Sequence, residues 1–221
     1  VMVYTNLANP VYVYPAAPHL DGGSENAHKL KYTELHAGSL EPFYARCCFA
    51  WEGRMFYGDT REGGGSADGG NQHPQRIRWS ALYDASPDPS LPGSGYIDVR
   101  ELHGRVLGFE NLDPFLVVYF SDGIVFIERT GLSAAPISYR VVTDHRGLLG
   151  THSVSHISPR EHFIIASDGF YILNASGEFR EIGVIESDGN YYRKWHDYFF
   201  SKVDLSLAHR IQCHYDQVSR T

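Results

Sequence analysis

The sequence predicts an all-β protein made of short antiparallel strands, and three observations lead to this prediction. Aromatic residues make up 14 % of the chain, with 15 Tyr and 12 Phe, and these side chains favour the half-buried surface of a pleated sheet. The chain also contains 22 Gly and 11 Pro, which supply many turns. Apolar residues occur in short or alternating runs between these turn residues, whereas long segments with helical periodicity are almost absent.

The predicted strands follow one another at short intervals along the chain. In chain order they are VMVYTNL, PVYVYP, ARCCFAW, RMFYGD, RIRWSAL, RVLGFE, FLVVYF, GIVFIER, ISYRVV, HFIIAS, GFYILNA and HRIQCHY. Each run has the length of an ordinary strand. In RIRWSAL the alternation places Ile77 and Trp79 on one face and Arg76 and Arg78 on the other.

The tripeptide Ser-Asp-Gly occurs three times, and we interpret each copy as a turn between strands. The turn residues are Asp122, Gly123, Asp168, Gly169, Asp188 and Gly189. Asp-Gly between two alternating runs is a strong hairpin signal, because both residues of such a turn take a positive φ. The sequence therefore predicts two hairpins, FLVVYFSDGIVFIER and HFIIASDGFYILNA, with the same register.

Strand and turn signals also recur over longer distances. Apolar strand centres near Phe56, Val118 and Ile164 mark three similar units. A repeat of about 40–50 residues with about four strands in each copy is typical of the blades of a β-propeller. Blades of this kind bury their faces against their neighbours. We therefore expect propeller-like blades over residues 45–221, preceded by an N-terminal β segment over residues 1–44.

Three segments depart from the repeat. Residues 62–74 are rich in glycine and small polar residues, and we expect a flexible insertion within the first blade. Residues 191–200, YYRKWHDYFF, are interpreted as a loop and a strand that pack aromatic rings between blades. The last run, RIQCHYDQVSRT, is interpreted as the first strand of a further blade, whose edge lacks a partner. Either the chain is a portion of a longer protein, or residues 1–44 close the ring.

Charge and cysteine content narrow the function classes. The formal net charge is −7, whereas proteins that grip nucleic-acid phosphates usually carry a basic excess. Arginines are spread singly, which suits pairing with carboxylates between neighbouring blades or subunits. The 3 Cys form no disulfide framework or zinc spacing, so we expect free thiols made in a reducing cytoplasm. No apolar run is long enough to cross a bilayer, and no membrane association is expected.

Histidines and cysteines raise two further possibilities. His152, His156 and His162 lie close in sequence, and the spacing of the first two could ligate zinc on a strand. No HExxH pattern accompanies them, so we favour a structural role and assign no metal site. Adjacent Cys47 and Cys48 are expected on opposite faces of a strand, with one thiol buried and the other pointing outward. The sequence contains no phosphate-binding loop and no nucleophile motif, so no catalytic or cofactor-binding residue is assigned.

Paired carboxylates support an alternative function, because several propellers are glycosidases. The candidate carboxylates are Glu110, Asp113, Asp122, Asp144, Asp168 and Glu186. Those in Asp-Gly turns are expected to set backbone geometry rather than to react. The alternative is a glycan-binding or glycan-hydrolysing propeller, and it predicts carboxylates that converge in a cleft, one with a raised pKa. A third hypothesis is a cellular propeller scaffold that binds partner peptides.

The stretch PQRIRWSALYDASPDPSLPGSGYIDV carries a family resemblance. Its motif strand consists of Arg76, Arg78, Trp79 and Ser80 around Ile77, followed by an aspartate- and proline-rich turn and a strand at Tyr96–Ile97. The hairpins FLVVYFSDGIVFIER and HFIIASDGFYILNA follow in order. Over roughly residues 45–221 this pattern resembles the tail hub or nozzle proteins of short-tailed bacteriophages, also called packaged-DNA stabilisation proteins.

This resemblance implies a structural virion protein without enzymatic activity or cofactors. The implied assembly is a homo-hexameric ring in the phage tail that retains packaged DNA and conducts it during ejection. Its partners would be other tail proteins, such as the adaptor, fibre or needle, and the phage DNA would pass through without specific binding. The protein would be assembled in the host cytoplasm and located in the virion. The negative net charge agrees with a conduit to which DNA does not adhere.

Overall fold

The all-β prediction is confirmed by the fold. A computed structural model describes residues 2–6, 9–14, 28–29, 31–33, 40–62, 71–133, 135–183, 185–187, 190–192 and 194–216. Antiparallel strands dominate these residues, and they include three four-stranded sheets, none of which closes on itself. In each of these sheets the strands lie side by side in chain order, as consecutive hairpins.

Five short strands precede the four-stranded sheets. They are β1 (Met2–Asn6), β2 (Asn9–Tyr14), β3 (His28–Lys29), β4 (Lys31–Thr33) and β5 (Leu40–Pro42). Strands β1, β2 and β3 form one sheet, and β4 pairs with β5. Within the described residues, this N-terminal segment is therefore β-structured, and its strands pair with one another.

The first four-stranded sheet consists of β6 (Tyr44–Trp51), β7 (Arg54–Glu62), β8 (Asn71–Trp79) and β9 (Gly95–Asp98). Strands β6 and β7 are joined by the two-residue turn Glu52–Gly53, whose φ angles are 50° and 73°. Both angles are positive, as the tightest hairpin turns require, because this conformation matches the twist of the strands.

Strands β7 and β8 extend further than the sequence analysis expected. β7 ends at Glu62, which pairs with Asn71, the first residue of β8. The expected insertion over residues 62–74 is therefore too wide, because both of its ends are strand, and residues 63–70 lie outside the described residues. The first half of β8 is polar and contains a proline, which cannot donate a ladder hydrogen bond. The pairing with β7 shifts its register at this part of β8. The sequence here does not alternate between apolar and polar residues, so it does not indicate a strand.

The second sheet consists of β10 (Val106–Leu112), β11 (Phe115–Phe120), β12 (Ile124–Arg129) and β13 (Ile137–Thr143). Strand β11 is buried on both faces from its second residue to its last. A continuous apolar run, rather than an alternating one, is the pattern that such a strand produces.

The third sheet consists of β14 (Val154–Ser158), β15 (Glu161–Ala166), β16 (Gly169–Asn174) and β17 (Phe179–Ile182). The side chain of Asn174 closes the turn between β16 and β17, because its Oδ1 accepts hydrogen bonds from the backbone N–H groups of residues 176 and 178, each at 3.0 Å. This type of turn is one for which asparagine is well suited.

Both predicted hairpins are confirmed, and so is their common register. Tyr119 pairs with Ile124, and Ile165 pairs with Phe170. Each pair occupies the same place relative to its Ser-Asp-Gly tripeptide, so the centre of each turn falls between the serine and the aspartate.

The predicted backbone conformation of these turns is wrong. Neither Asp122 nor Asp168 has a positive φ. In the β15–β16 hairpin the two turn residues are Ser167 and Asp168, and Gly169 already belongs to β16. The glycine therefore does not occupy the second turn position, at which the mirror-image turn would need it. The third tripeptide, with Asp188 and Gly189, lies outside the described residues.

The C-terminal part differs from its predicted structure. After the hairpin of β18 (Ile185–Ser187) and β19 (Asn190–Tyr192), the chain forms helix α1 (Lys194–Lys202) and a 3-10 helix (Leu205–Arg210). The expected aromatic strand is thus a helix, in which Phe199 packs edge-on against Phe170. None of the helices in the described residues is long and apolar enough to cross a membrane.

The last described segment is not the strand that the sequence analysis expected. Its residues make a single parallel bridge, in which Gln212 pairs with His152. The backbone N–H of Cys213 donates to the carbonyl oxygen of His152 at 2.9 Å. One bridge to the segment before β14 replaces the first strand of a further blade.

The chain divides into two compact units, with boundaries that differ from the expected division at residue 44. The first comprises Val1–Phe109 and Arg129–Ser138, and the second comprises Glu110–Glu128 and Tyr139–Thr221. Each cluster or pocket described below lies within one of these units.

Candidate functional site

The motif strand contributes a buried ion pair to the first sheet. Arg78 donates from Nη2 and Nε to the two carboxylate oxygens of Glu62, at 2.6 and 3.1 Å, and both side chains are 1 % exposed. Its Nη1 donates to the carbonyl oxygen of Pro87 at 2.9 Å. Two parallel hydrogen bonds of this kind fix both position and orientation. Arg78 thereby ties β8 to β7 and to the loop that follows β8.

The second arginine of the motif pairs with the edge strand. Arg76 donates from Nε and Nη2 to the carboxylate of Asp98, at 2.7 and 2.9 Å. Its guanidinium lies 4.0 Å from the ring centroid of Tyr96 and 3.3 Å from Glu62. The hydrogen bond from Arg76 lowers the pKa of Asp98 below its usual value. Arg76 therefore holds β9 against β8 through an ion pair and a cation–π contact.

A further buried carboxylate lies at the register shift of the same sheet. Asp59 is fully buried, and it accepts hydrogen bonds from Arg46 at 2.6 Å and from Gln72 at 2.9 Å. Its φ is +50°, a conformation that non-glycine residues rarely adopt. No sequence pattern distinguishes Asp59 or Glu62, because the pairing register alone brings them beside their arginines.

Trp79 and Ser80 complete the motif by closing the end of the sheet. The indole Nε1 of Trp79 donates to the carbonyl oxygen of Gly93 at 3.1 Å. Ser80 Oγ accepts from the backbone N–H of Met55 at 2.9 Å and donates to the carbonyl oxygen of Asp84 at 2.6 Å. Both side chains are buried. The hydroxyl thus satisfies backbone groups that would otherwise be unpaired at the end of a strand.

The four motif residues therefore stabilise one sheet and its following loop. The arginine content suited pairing with carboxylates between neighbouring blades or subunits, but the described partners of Arg76 and Arg78 lie closer. Both partner carboxylates, on Glu62 and Asp98, belong to strands of the same sheet. Arg76 and Arg78 both lie over the ring of Tyr96, so they share one face of β8, as the predicted alternation requires.

Two of the three histidines form a cluster between the second and third sheets. His156 Nε2 lies 2.6 Å from Glu110 Oε2. The ring of His162 is hydrogen-bonded at both nitrogens, with Nδ1 2.7 Å from the hydroxyl of Tyr119 and Nε2 3.0 Å from the carbonyl oxygen of Asn111. A carbonyl oxygen can only accept, so Nε2 carries the proton and Nδ1 accepts from the tyrosine hydroxyl.

Burial sets the protonation states in this cluster. It lowers the pKa of His162 to about 4, with a further contribution from the neighbouring His156. It also raises the pKa of Tyr119 well above its usual value. His162 is therefore a neutral imidazole and Tyr119 a neutral phenol near neutral pH.

The third histidine lies beside a small polar pocket. His152 lines a space of about 240 Å³ together with Glu110, Gln212 and Cys213. Among the described residues, no three His, Cys, Asp or Glu side chains are placed to hold a metal ion. His156 and His162 have the hydrogen-bond partners given above.

The predicted carboxylates lie in separate places rather than in one cleft. Asp113, Asp122 and Asp168 lie at hairpin turns, and Asp144 pairs with the exposed His145 at 3.0 Å. Asp168 accepts hydrogen bonds from Arg146 at 3.2 Å and from Tyr171 at 3.0 Å. Glu110 pairs with His156, and the side chain of Glu186 lies outside what the structure describes.

A different pair of carboxylates shares a pocket. Glu161 and Glu178 line a space of about 430 Å³ on the third sheet, together with Asn174 and Arg180. Glu161 pairs with Asn174 in the ladder, and Asn174 Nδ2 donates to Glu178 at 3.0 Å. No sequence pattern indicates this pair, because only the register of the β15–β16 hairpin and its following turn bring the two residues together.

An apolar pocket is lined by residues of the first unit. It has a volume of about 340 Å³ and is lined by Trp51, Arg54, Leu82 and Leu132, among others. Leu82 and Leu132 are 51 % and 64 % exposed. Arg129 at the rim pairs with the neighbouring Glu52 at 2.6 Å.

The adjacent cysteines are free and lie on opposite faces of β6, as expected, but both are half-buried. Cys48 packs against Phe43 and Tyr57, so the expectation of one outward thiol is wrong. Burial raises the pKa of Cys48 to about 11 and that of Cys47 still further. Both thiols are therefore protonated near neutral pH and are weak nucleophiles.

Comparison with known proteins assigns no family. No protein-family model matches the chain, and no match is found among curated proteins.

Proposed function

We propose that this chain is a structural protein of a phage tail and forms part of the hub or nozzle conduit. In this role it retains packaged DNA and conducts it during ejection. The proposal rests on the sequence resemblance over residues 45–221. The structural observation that supports it is that the described contacts of the motif residues stabilise a single sheet. These residues are Arg76, Arg78, Trp79 and Ser80.

The finer architecture belongs to the same proposal. Three successive four-stranded sheets, each with its strands in chain order, are what three blades of a β-propeller would provide. The equal register of the β11–β12 and β15–β16 hairpins supports a structural repeat. We propose that these sheets are blades and that residues 1–44 take part in closing the ring.

The proposed assembly is a homo-hexamer with a central channel, in contact with other tail proteins such as the adaptor, fibre or needle. It is assembled in the host cytoplasm and is located in the tail of the virion. The formal net charge of −7 supports a conduit that DNA passes without specific binding. The proposal includes no catalytic step, cofactor or membrane contact.

Electron microscopy of the purified native assembly tests this function. We expect six-fold rings with an axial channel wide enough for duplex DNA. Class averages from the full chain at near-physiological salt give both the symmetry and the channel width. A monomer, or an oligomer without an axial channel, contradicts the proposal.

The Glu161–Glu178 pocket favours one second candidate, a glycan-binding or glycan-hydrolysing propeller. Two carboxylates, an amide and a guanidinium in one open pocket provide the groups that recognise sugar hydroxyls. Among the described residues, the carboxyl pKa values that are clearly shifted are those of Asp98, Asp144 and Asp204, and all three are lowered rather than raised. Binding to a glycan array that both Glu161→Gln and Glu178→Gln weaken, in a protein without channel-bearing rings, would replace the proposed function with this one.

A further inference from the structure

The His162 cluster connects the second and third sheets inside one compact unit. Glu110 and Asn111 lie on β10 and Tyr119 on β11, whereas His156 and His162 lie on β14 and β15. We propose that this cluster is an acid-sensitive latch, in which the neutral His162 imidazole joins the two sheets and its protonation separates them. The inference does not depend on the proposed function.

The latch requires the neutral imidazole, because each ring nitrogen has a fixed role. Nε2 donates to the carbonyl oxygen of Asn111, and Nδ1 accepts from the hydroxyl of Tyr119. These two bonds join β15 to both β10 and β11. The side chains of His162 and Tyr119 are both fully buried, so water does not replace a lost partner without an opening of the junction.

Protonation at Nδ1 removes the acceptor of the tyrosine hydroxyl. The new N–H points at the hydroxyl oxygen, so the phenol hydrogen has to turn away, and a charge is then buried beside it. A buried polar group that loses its partner costs about 1–3 kcal/mol, and an uncompensated charge costs more. The imidazolium form therefore favours separation of the sheets, which returns the ring to water.

The neighbouring charges do not compensate a charge on His162. His156 on β14 is its cross-strand partner, with ring centroids 4.4 Å apart, and its charge interaction lowers the pKa of His162. Glu110 on β10 is the carboxylate of the cluster, but its Oε2 lies 2.6 Å from His156 Nε2. On β16 the cross-strand partner is Leu173, which is buried and apolar.

The effect has a defined direction and pH range. The imidazole pKa is about 4 in the folded protein and 6.5 when the ring is free in water. An opened junction therefore binds a proton that the closed one excludes, and the latch weakens as the pH falls from 6.5 to 4. Between about pH 7 and about pH 5 the equilibrium for opening increases about 20-fold.

Amide hydrogen exchange of the full chain tests the latch. Exchange is measured at about pH 7 and about pH 5 and corrected for the intrinsic effect of pH. For peptides covering β11 and β15 we expect protection to fall by more than about tenfold, and for β6–β8 by less than about twofold. His162→Gln keeps a donor near Asn111 but does not titrate, so its protection in β11 and β15 is expected to vary with pH by less than about twofold.

His145→Gln is the matched control, because His145 is exposed and outside the cluster. In this variant the amide protection of β11 and β15 should depend on pH as it does in the wild type. Tyr119→Phe removes the donor that favours neutral His162. The midpoint of the pH-dependent loss of amide protection should therefore move toward higher pH in this variant. Tyr119→Phe still tests the latch if His162→Gln fails to fold. Unchanged protection in the wild type at pH 5, an equal loss in His162→Gln, or an equal loss over β6–β8 overturns the proposal.

Discussion

At the scale of single residues, the stability of the first sheet depends on the buried ion pair between Arg78 and Glu62. Arg78 and Glu62 are both 1 % exposed, so their charges are removed from water and depend on each other. Replacing one partner of such a pair leaves the other without full compensation, and this typically costs 3–5 kcal/mol. Glu62 retains partial compensation from Arg76 at 3.3 Å and from the hydroxyl of Thr60 at 2.5 Å.

Arg78→Met is therefore expected to lower the free energy of unfolding by about 3 kcal/mol. Arg129→Met is the matched control, because Arg129 pairs with Glu52 at the same distance of 2.6 Å but is 63 % exposed. An exposed pair contributes less than about 1 kcal/mol. Urea denaturation of both variants measures the difference, and equal effects would contradict the importance of the buried pair.

At the scale of elements, each four-stranded sheet combines paired strands with an arginine stacked on an aromatic ring. The guanidinium lies 4.0 Å from the Tyr96 ring for Arg76 in the first sheet and 4.1 Å from the Tyr171 ring for Arg146 on the third. In the second sheet Arg140 lies 4.8 Å from the ring of Phe126. These contacts cover apolar surface with a charged group that remains partly hydrated.

The connection between β13 and β14 depends on one close backbone approach. A Cβ atom added to Gly147 would lie 2.4 Å from backbone atoms of residues 120–122, in the turn between β11 and β12. The next residue, Leu148, donates its backbone N–H to the carbonyl oxygen of Phe120 at 2.9 Å. A side chain at position 147 would therefore push this connection away from the turn.

Gly147→Ala is expected to lower the free energy of unfolding by about 3 kcal/mol, because backbone must move on both sides of the contact. Gly131→Ala is the control. Gly131 has a φ of +76° but nothing within 4 Å of an added Cβ, so only the conformational cost of about 1 kcal/mol applies. Thermal and urea unfolding compare the two variants, and an effect of Gly147→Ala no larger than that of Gly131→Ala would show that the contact is not limiting.

At the scale of the whole molecule, the net charge leads to a prediction about duplex DNA. Three arginines of the first sheet, Arg46, Arg76 and Arg78, pair with carboxylates, and the chain as a whole carries a formal charge of −7. We therefore expect no binding of duplex DNA by the full chain in fluorescence anisotropy, even at low salt where phosphate contacts are strongest. Binding that weakens steeply with added salt would contradict a conduit to which DNA does not adhere.

Local sequence patterns were sufficient to predict part of the fold. Alternation and turn residues predicted the all-β class, the common register of two hairpins, and the opposite faces of Ile77 and Arg76. The same patterns failed where tertiary packing or polar pairing decides. The aromatic segment that ends at Phe200 became a helix packed on Phe170, and the polar half of β8 became a strand stabilised by pairing with β7.

Less of the candidate sites than of the fold could be predicted from the sequence. Spacing along the chain brought His152, His156 and His162 together as a group, but it gave no indication that Tyr119 and Glu110 contact two of them. These contacts span 43 and 46 positions in sequence. Likewise, Glu62 and Asp98 become the partners of the motif arginines only through strand register.

The sequence by itself determined the strand-rich class and the faces of individual strands, because side-chain alternation is a local property of the extended backbone. It also determined the excess of negative charge, which is a sum over residues. The tertiary structure alone decided which charges are paired, which imidazole is kept neutral, and which carboxylates share a pocket. These properties depend on burial and on distances between strands, and no local pattern records them.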